Sequence, residues 1–178
     1  IIQTIAAMKM SVLNKLLEQR AYTDAHTGLP NKDACEELLN NKEKVSEHTA
    51  CLMFDLNNLK IINDTKGHSK GDQLIFNFAH LLRRVIPQEA FVGRYGGDEF
   101  MVVIYNTSKT EIEDILMQLS REKDSLNSRG HDMPIDYACG WAISDADSEC
   151  TIQMLLDKAD YYMYENKQSR KKSKQSLK

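Results

Sequence analysis

Midway along the chain two apolar runs flank a tight glycine turn: Phe91 to Tyr95, then Gly96-Gly97-Asp98, then Glu99 to Tyr105. Runs of this length around such a turn read as a β-hairpin. What surrounds the hairpin comes in a definite order. Residues 50–56 (Ala-Cys-Leu-Met-Phe-Asp-Leu) form the short apolar run of a buried strand, and residues 72–86 place Leu74, Ile75, Phe78, Leu81, Leu82 and Val85 at helical spacing. After the hairpin, Ile112, Ile115, Leu116 and Leu119 mark a helix, residues 135–143 a strand, and residues 152–168 a last helix. Strand, helix, two hairpin strands, helix, strand is the split β-α-β-β-α-β pattern, here with a helix added at each end. The expectation is an α+β, ferredoxin-like domain with a mainly antiparallel sheet and helices covering one face.

The ends are different in kind. Residues 1–23 form the N-terminal segment, which up to about residue 22 lacks Gly and Pro. It sets Ile1, Ile5, Met8, Val12 and Leu16 at steps of three and four, the spacing of a coiled-coil seam. It reads either as a connecting helix that pairs with another or as an amphipathic helix folded back on the domain. Turn formers at Thr27-Gly28-Leu29-Pro30-Asn31 end it, with a new helix expected from about Asn31 to Asp33, and the domain proper spans residues 24–171. Residues 172–178 are a basic tail or linker. The chain opens on Ile1 with no signal-peptide pattern, so a fragment of a longer protein is expected, this segment lying in the cytoplasm and a membrane anchor elsewhere in the full-length protein left open.

Composition excludes several classes. The 178 residues fit one domain with an appendage. Lys plus Arg is 23 and Asp plus Glu is 26, a net charge of −3, which supplies no overall positive field for a nucleic acid. Cys35, Cys51, Cys139 and Cys150 form no CxxC pair, so they are expected reduced and mostly buried, without a disulfide framework or a structural zinc. No run of about 18 apolar residues is present, and no membrane contact is expected of this segment.

Three carboxylates stand out by position. Asp55 ends a buried strand, and Asp98 and Glu99 occupy the hairpin tip. Neighbouring strands lie about 4.8 Å apart, so pairing of the Asp55 strand beside the hairpin would bring all three to one sheet edge. Like charges about 4 Å apart repel by roughly 4 kcal/mol at an effective dielectric of 20, and a hard divalent cation such as Mg²⁺ is the natural remedy. The alternative is that Asp98 and Glu99 are ordinary polar turn residues. Between Asp55 and Asp72 runs a polar connection with glycines at 67 and 71. Backbone amides there, with Lys60 beside them, could cradle a phosphate. Asn63 offers donors and an acceptor and Asp72 accepts, together matching the edge of a guanine base. The same residues could equally cap short helices.

Taken together, Arg94-Tyr95-Gly96-Gly97-Asp98-Glu99-Phe100, the set Asp55, Lys60, Asn63-Asp64, Gly67-His68 and Gly71-Asp72, and the late Ala159-Asp160, Tyr164 and Lys167 resemble the GGDEF domain of diguanylate cyclases. The resemblance covers residue 24 to about residue 171. It implies a palm-like fold and condensation of two GTP molecules into cyclic di-GMP with release of two pyrophosphates. Carried over by position, Asp55 and Asp98 hold Mg²⁺, or Mn²⁺ in its stead, with help from the carbonyl of Leu56, and Glu99 binds a second metal or helps activate the 3′-hydroxyl. Asn63 and Asp72 bond guanine. Lys60, Lys167 and the amides of Asn58 and Leu59 hold the triphosphate. The family's two half-sites meet in a homodimer, and the N-terminal helix would couple it to an upstream sensor. A degenerate domain that binds GTP as a regulatory module without turnover is the alternative.

The departures are informative. Asn57 and Leu59 stand where many members carry Asp and Phe, and His26 and Lys32 stand where the pattern has Leu and Arg. Arg170-Lys171 replaces Gly-Arg, which leaves Lys171 as that phosphate contact. The family's inhibitory Arg-x-x-Asp is absent, its positions being Pro87 and Ala90, with Arg83 and Arg84 on the preceding helix.

Overall fold

Both alternations of the run at 50–56 are apolar, and a strand without a polar face must be covered on both sides. In the computed structural model, which describes residues 2–130, 133–145 and 149–175, this run is fully buried at the centre of the sheet. The elements follow in the order α1 (Ile2–Ala21), α2 (Lys32–Asn40), β1 (Ala50–Leu56), α3 (Leu59–Lys66), α4 (His68–Val85), β2 (Phe91–Arg94), β3 (Glu99–Ile104), α5 (Lys109–Ser128), β4 (Tyr137–Ile143) and α6 (Ile152–Gln175). The sheet order is β2-β3-β1-β4, with every pairing antiparallel.

Helices cover both faces rather than the expected one. Leu52, Phe54 and Leu56 point toward α4 and α5, into a core with Leu74, Phe78, Phe100, Val102 and Ile112. Cys51 and Met53 point the other way, joining Cys35 and Leu39 of α2 and Leu155, Leu156, Ala159 and Met163 of α6. Each fully buried side chain of this size is worth about 1.5–3 kcal/mol, so the strand contributes to the cores on both faces of the sheet. Phe78 meets Phe100 edge to face at 5.0 Å and Phe54 at 6.0 Å. Phe54 and Phe100 are cross-strand partners immediately beside Asp55 and Glu99. The aromatic cluster therefore fixes the ends of β1 and β3 from below.

On the opposite face α6 lies unusually close to β4. A Cβ placed on Gly140 would stand 2.1 Å from both the Ala159 carbonyl oxygen and the Met163 nitrogen, so only glycine allows this approach. That closeness sets how far the later turns of α6 stand from β1.

Other differences have local causes. The polar connection after Asp55 folds into α3, and α4 begins at His68 instead of residue 72. The last helix continues past the expected end near Gln168 to Gln175. Along α1, Met8, Met10, Val12, Leu13, Leu16 and Leu17 are half or more exposed, so α1 does not fold back over the domain. Ile1, the side chains of Ile5 and Lys171, and residues 176–178 lie outside the described residues. All four cysteines are free thiols. Burial pushes the Cys35 and Cys51 thiols up to about 12, so they behave as inert core groups. Among the described residues no helix is long and apolar enough to cross a membrane.

Candidate active site

Asp55 and Glu99 are directly paired across β1 and β3. Opposed residues on adjacent strands share a face, with Cβ atoms about 5 Å apart, and here it is the face covered by α6. The Leu56 amide donates to the Asp98 carbonyl at 2.8 Å, extending the ladder past the strand end and seating Asp98 beside the pair. Tyr95 and Gly96 amides close the hairpin onto the Glu99 carbonyl at 2.9 and 3.1 Å. The backbone thus places Asp55, Asp98 and Glu99 at the same end of the sheet, with Asp55 and Glu99 opposed on one face.

From above, α6 supplies the second wall. Asp55, Glu99, Asp157, Asp160, Tyr161, Tyr164 and Lys167 line a cleft of about 490 Å³. Lys167 Nζ donates to both oxygens of Asp55 at 2.8 and 2.7 Å, so the residue expected at the triphosphate is engaged with a carboxylate. Burial, then the negative charges of Asp98, Asp55 and Asp160, raise the Glu99 carboxyl above its ordinary value, and the Lys167 ammonium only partly counters them. Asp160 was part of a recognisable pattern but had no expected role. Its spacing of four to Tyr164 and three more to Lys167 places all three on one face of α6, which is the signal that could have found it.

Hard oxygen donors on three carboxylates suit a divalent cation, and an ammonium already meets both oxygens of Asp55. Among the described residues no three His, Cys, Asp or Glu side chains are gathered around one point as they stand. Asn57 is turned elsewhere: its amide nitrogen donates to Asp136 Oδ2 at 3.2 Å and its backbone N–H to the Asp136 carbonyl at 2.8 Å.

The phosphate and base candidates sit along α3. Asn58, at φ 65°, occupies the left-handed region and turns the chain sharply from β1 into α3 without capping the helix by its side chain. The first amides of α3 and the exposed Lys60 therefore lie one tight turn beyond the Asp55 edge. Asn63 follows Leu59 by four residues, about 6 Å along the axis. It packs on α4 at Gly71, where a Cβ would stand 1.9 Å from Asn63 Oδ1, and Asp72 is next in the chain. Gly71 thus lets α3 approach α4 closely at the position just before Asp72, whose side chain is exposed.

The hairpin tip is clamped from the turn after α1. Arg94 Nη1 donates to Asp24 Oδ1 and Oδ2 at 3.3 and 3.2 Å, Arg94 Nη2 donates to the Gly97 carbonyl at 2.9 Å, and the Arg94 amide donates to Pro30 at 2.8 Å. Burial alone would raise the Asp24 carboxyl, but bonds from the Thr27 hydroxyl and amide and the Arg94 charge bring it below its ordinary value. Sequence reasoning had given neither Asp24 nor Arg94 a role. A second cleft of about 530 Å³, lined by Asp24, Asn31, Lys32, Asp33, Arg94, Gly96 and Glu99 among others, lies here, so Glu99 faces two clefts.

Pro87 and Ala90 form a turn, the Ala90 amide donating to the Pro87 carbonyl at 3.1 Å. Both line a cleft of about 370 Å³. Arg83 lines it too, contrary to the expectation that it stays away on its helix, with Nη2 donating to the Gly28 carbonyl at 2.7 Å.

Comparison with known proteins places the chain in a family. The family described as "Diguanylate cyclase, GGDEF domain" matches residues 21–173. The signaling protein YkoW of Bacillus subtilis (strain 168) is 33% identical over 167 residues, covering 90% of this chain and 21% of that protein. Diguanylate cyclase DgcP of Escherichia coli (strain K12) is 32% identical over 170 residues, covering 90% of this chain and 48% of that protein. The chain thus spans less than half the length of either. Among solved structures, the coiled coil and GGDEF domain of DgcB from Caulobacter crescentus, in complex with c-di-GMP, superposes with a TM-score of 0.81 at 24% identity, over 94% of this chain and 91% of that one. The chain belongs to the GGDEF domain family.

Proposed function

We propose that this domain is a diguanylate cyclase, joining two GTP molecules into cyclic di-GMP with release of two pyrophosphates. The observation that carries the reading is the cross-strand pair Asp55 and Glu99 with Asp98 beside it, one tight turn from the amides of α3. In each half-reaction the 3′-hydroxyl of one GTP attacks the α-phosphorus of the other. A new P–O bond forms, the α,β-anhydride bond breaks, pyrophosphate leaves and the hydroxyl proton is lost. Asp55, Asp98 and the Leu56 carbonyl would hold a divalent ion, Mg²⁺ or Mn²⁺, with Glu99 on a second, and such ions stabilise both the attacking and the leaving oxygen. The chain's own part is placement. The Asn58 and Leu59 amides, Lys60, Lys167 and Lys171 orient the triphosphate, Asn63 and Asp72 hold the base, and Glu99 faces the reacting hydroxyl.

One GTP per domain requires two domains face to face, and the apolar stripe exposed along α1 offers a means of pairing them. Incubating the purified chain with GTP and Mg²⁺ and analysing the products by mass spectrometry tests the reading. Cyclic di-GMP is expected; GTP bound but unconverted would reduce the domain to a nucleotide-binding module.

Base choice follows from Asn63 and Asp72. Asn63 is half-buried and Asp72 exposed, and adenine offers neither of them the donor and acceptor edge of guanine, so the groups that pair with guanine would stay unpaired. GTP should be turned over far faster than ATP, and Asp72→Ser should narrow the gap. Equal initial rates with both nucleotides in the parent would show that the base lies elsewhere.

Product control should also differ from that implied by an Arg-x-x-Asp pair. Pro87 has neither charge nor N–H, and Ala90 has no side-chain acceptor. Each missing charge-assisted bond costs about 1.5–3 kcal/mol, more than tenfold in affinity. Arg83 is committed to Gly28 at the same cleft. Calorimetric titration with cyclic di-GMP is expected to show only weak binding that excess GTP abolishes, and a submicromolar site unaffected by GTP would contradict it.

A further inference from the structure

We infer that His26 is a positioning residue for the base-reading end of α4, an inference that rests on the reading of Asn63 and Asp72 as the guanine contacts. His26 lies in the turn between α1 and α2, 46 residues from Asp72 in the chain, yet its Nε2 stands 2.8 Å from the Asp72 carbonyl oxygen. A carbonyl only accepts, so the imidazole donates through Nε2–H. A carbonyl oxygen has two lone pairs, so this bond adds to the helical bonding of α4 without displacing it.

The contact is one link in a continuous series. Asn63 presses on Gly71, Gly71 precedes Asp72, and Asp72 is held from behind by His26. Arg83 ties the same turn to α4 a second time through the Gly28 carbonyl at 2.7 Å. On its other side the turn grips the catalytic hairpin through Asp24 and Arg94. Asn31 Nδ2 donates to the Ala21 carbonyl at the end of α1 at 2.7 Å, so the turn also holds the helix leading into the domain. His26 is thus the arm by which this turn reaches the peptide that aims Asp72. Leucine, the residue of the family pattern at this position, has no donor to make such an arm.

Because His26 is exposed, its bond adds little to global stability, and its effect should appear in nucleotide preference instead. The test is calorimetric titration of the whole chain with GTP and with ATP, alongside thermal melting. His26→Ala should weaken GTP binding roughly fivefold, part of the worth of the charge-assisted bond that a well-aimed Asp72 makes to guanine, with ATP binding and Tm unchanged. His26→Gln, whose amide can donate to the same carbonyl, should recover GTP binding to within about twofold. In an Asp72→Ala background, His26→Ala should cost nothing further, as coupled residues require. Unchanged GTP binding by His26→Ala, an equal loss of GTP and ATP, or a full loss persisting in the Asp72→Ala background would each overturn the inference alone. No GTP binding by the parent, or an Asp72→Ala variant with intact GTP preference, would overturn the guanine reading and this inference with it.

Discussion

Glu99→Gln is expected to lower cyclic di-GMP formation by at least about 10²-fold while leaving the fold at least as stable as the parent. The loss follows from position. Glu99 opposes Asp55 across the sheet and faces both clefts, so its charge is aimed where the reacting hydroxyl and any bound cation must lie. The amide keeps the volume but removes the negative charge, and losing one preorganised electrostatic group of this kind typically costs 10²–10³-fold. The stability half follows from sign. Burial and the charges of Asp98, Asp55 and Asp160 raise the folded-state value of Glu99 above its ordinary 4.5. The unfolded chain therefore ionises this group more readily, and the ionised carboxylate costs stability as pH rises through that range. Glutamine removes the cost, so the Tm of Glu99→Gln should equal or exceed that of the parent near neutrality, the difference vanishing below pH 4.5. Turnover within about threefold of the parent would sink the catalytic assignment, and a Tm well below the parent near neutrality would sink the charge argument.

That prediction joins what local pattern could reveal to what it could not. The hairpin and the Asp55 strand were legible because both are short apolar runs bounded by turn formers, and their adjacency follows from sheet geometry. Coverage of both faces was equally written in the run at 50–56, where Cys51 and Met53 are as apolar as Leu52 and Phe54. The run reads as a buried strand, and the split β-α-β-β-α-β pattern, which puts helices on one face, left no cover for Cys51 and Met53. Residues 59–66 concealed α3 for a different reason: Lys60, Asn63, Asp64, Thr65 and Lys66 leave too few apolar positions for a clear helical period. The contacts of His26 with Asp72, Asp24 with Arg94, and Lys167 with Asp55 join distant segments, and no local periodicity encodes them. A resemblance could assign Lys167 to phosphate, but only tertiary packing shows it on a carboxylate.

Packing also carries the second large effect. Gly140→Ala is expected to destabilise the domain by about 3 kcal/mol and to remove most activity, although residue 140 touches none of the proposed substrate contacts. The added methyl would lie 2.1 Å from the Ala159 carbonyl oxygen and the Met163 nitrogen, and 2.7 Å from the Tyr162 carbonyl carbon. These are backbone atoms of a regular helix, so no side-chain rotation relieves the overlap. Either β4 moves or α6 lifts as a body. β4 is held along its length by β1, which is itself locked to β3, so α6 is the element free to give. Lifting it opens the core around Leu155, Leu156 and Met163 and carries Asp160, Tyr164 and Lys167 away from Asp55 and Glu99. At roughly 2–4 °C per kcal/mol for a chain of this size, the Tm should fall by at least about 6 °C. Activity measured well below that lower Tm should still be impaired, because the cleft wall is displaced even in molecules that remain folded. A Gly140→Ala variant with parental Tm and parental turnover would show that α6 can sit further from the sheet, and that the cleft does not depend on this close approach.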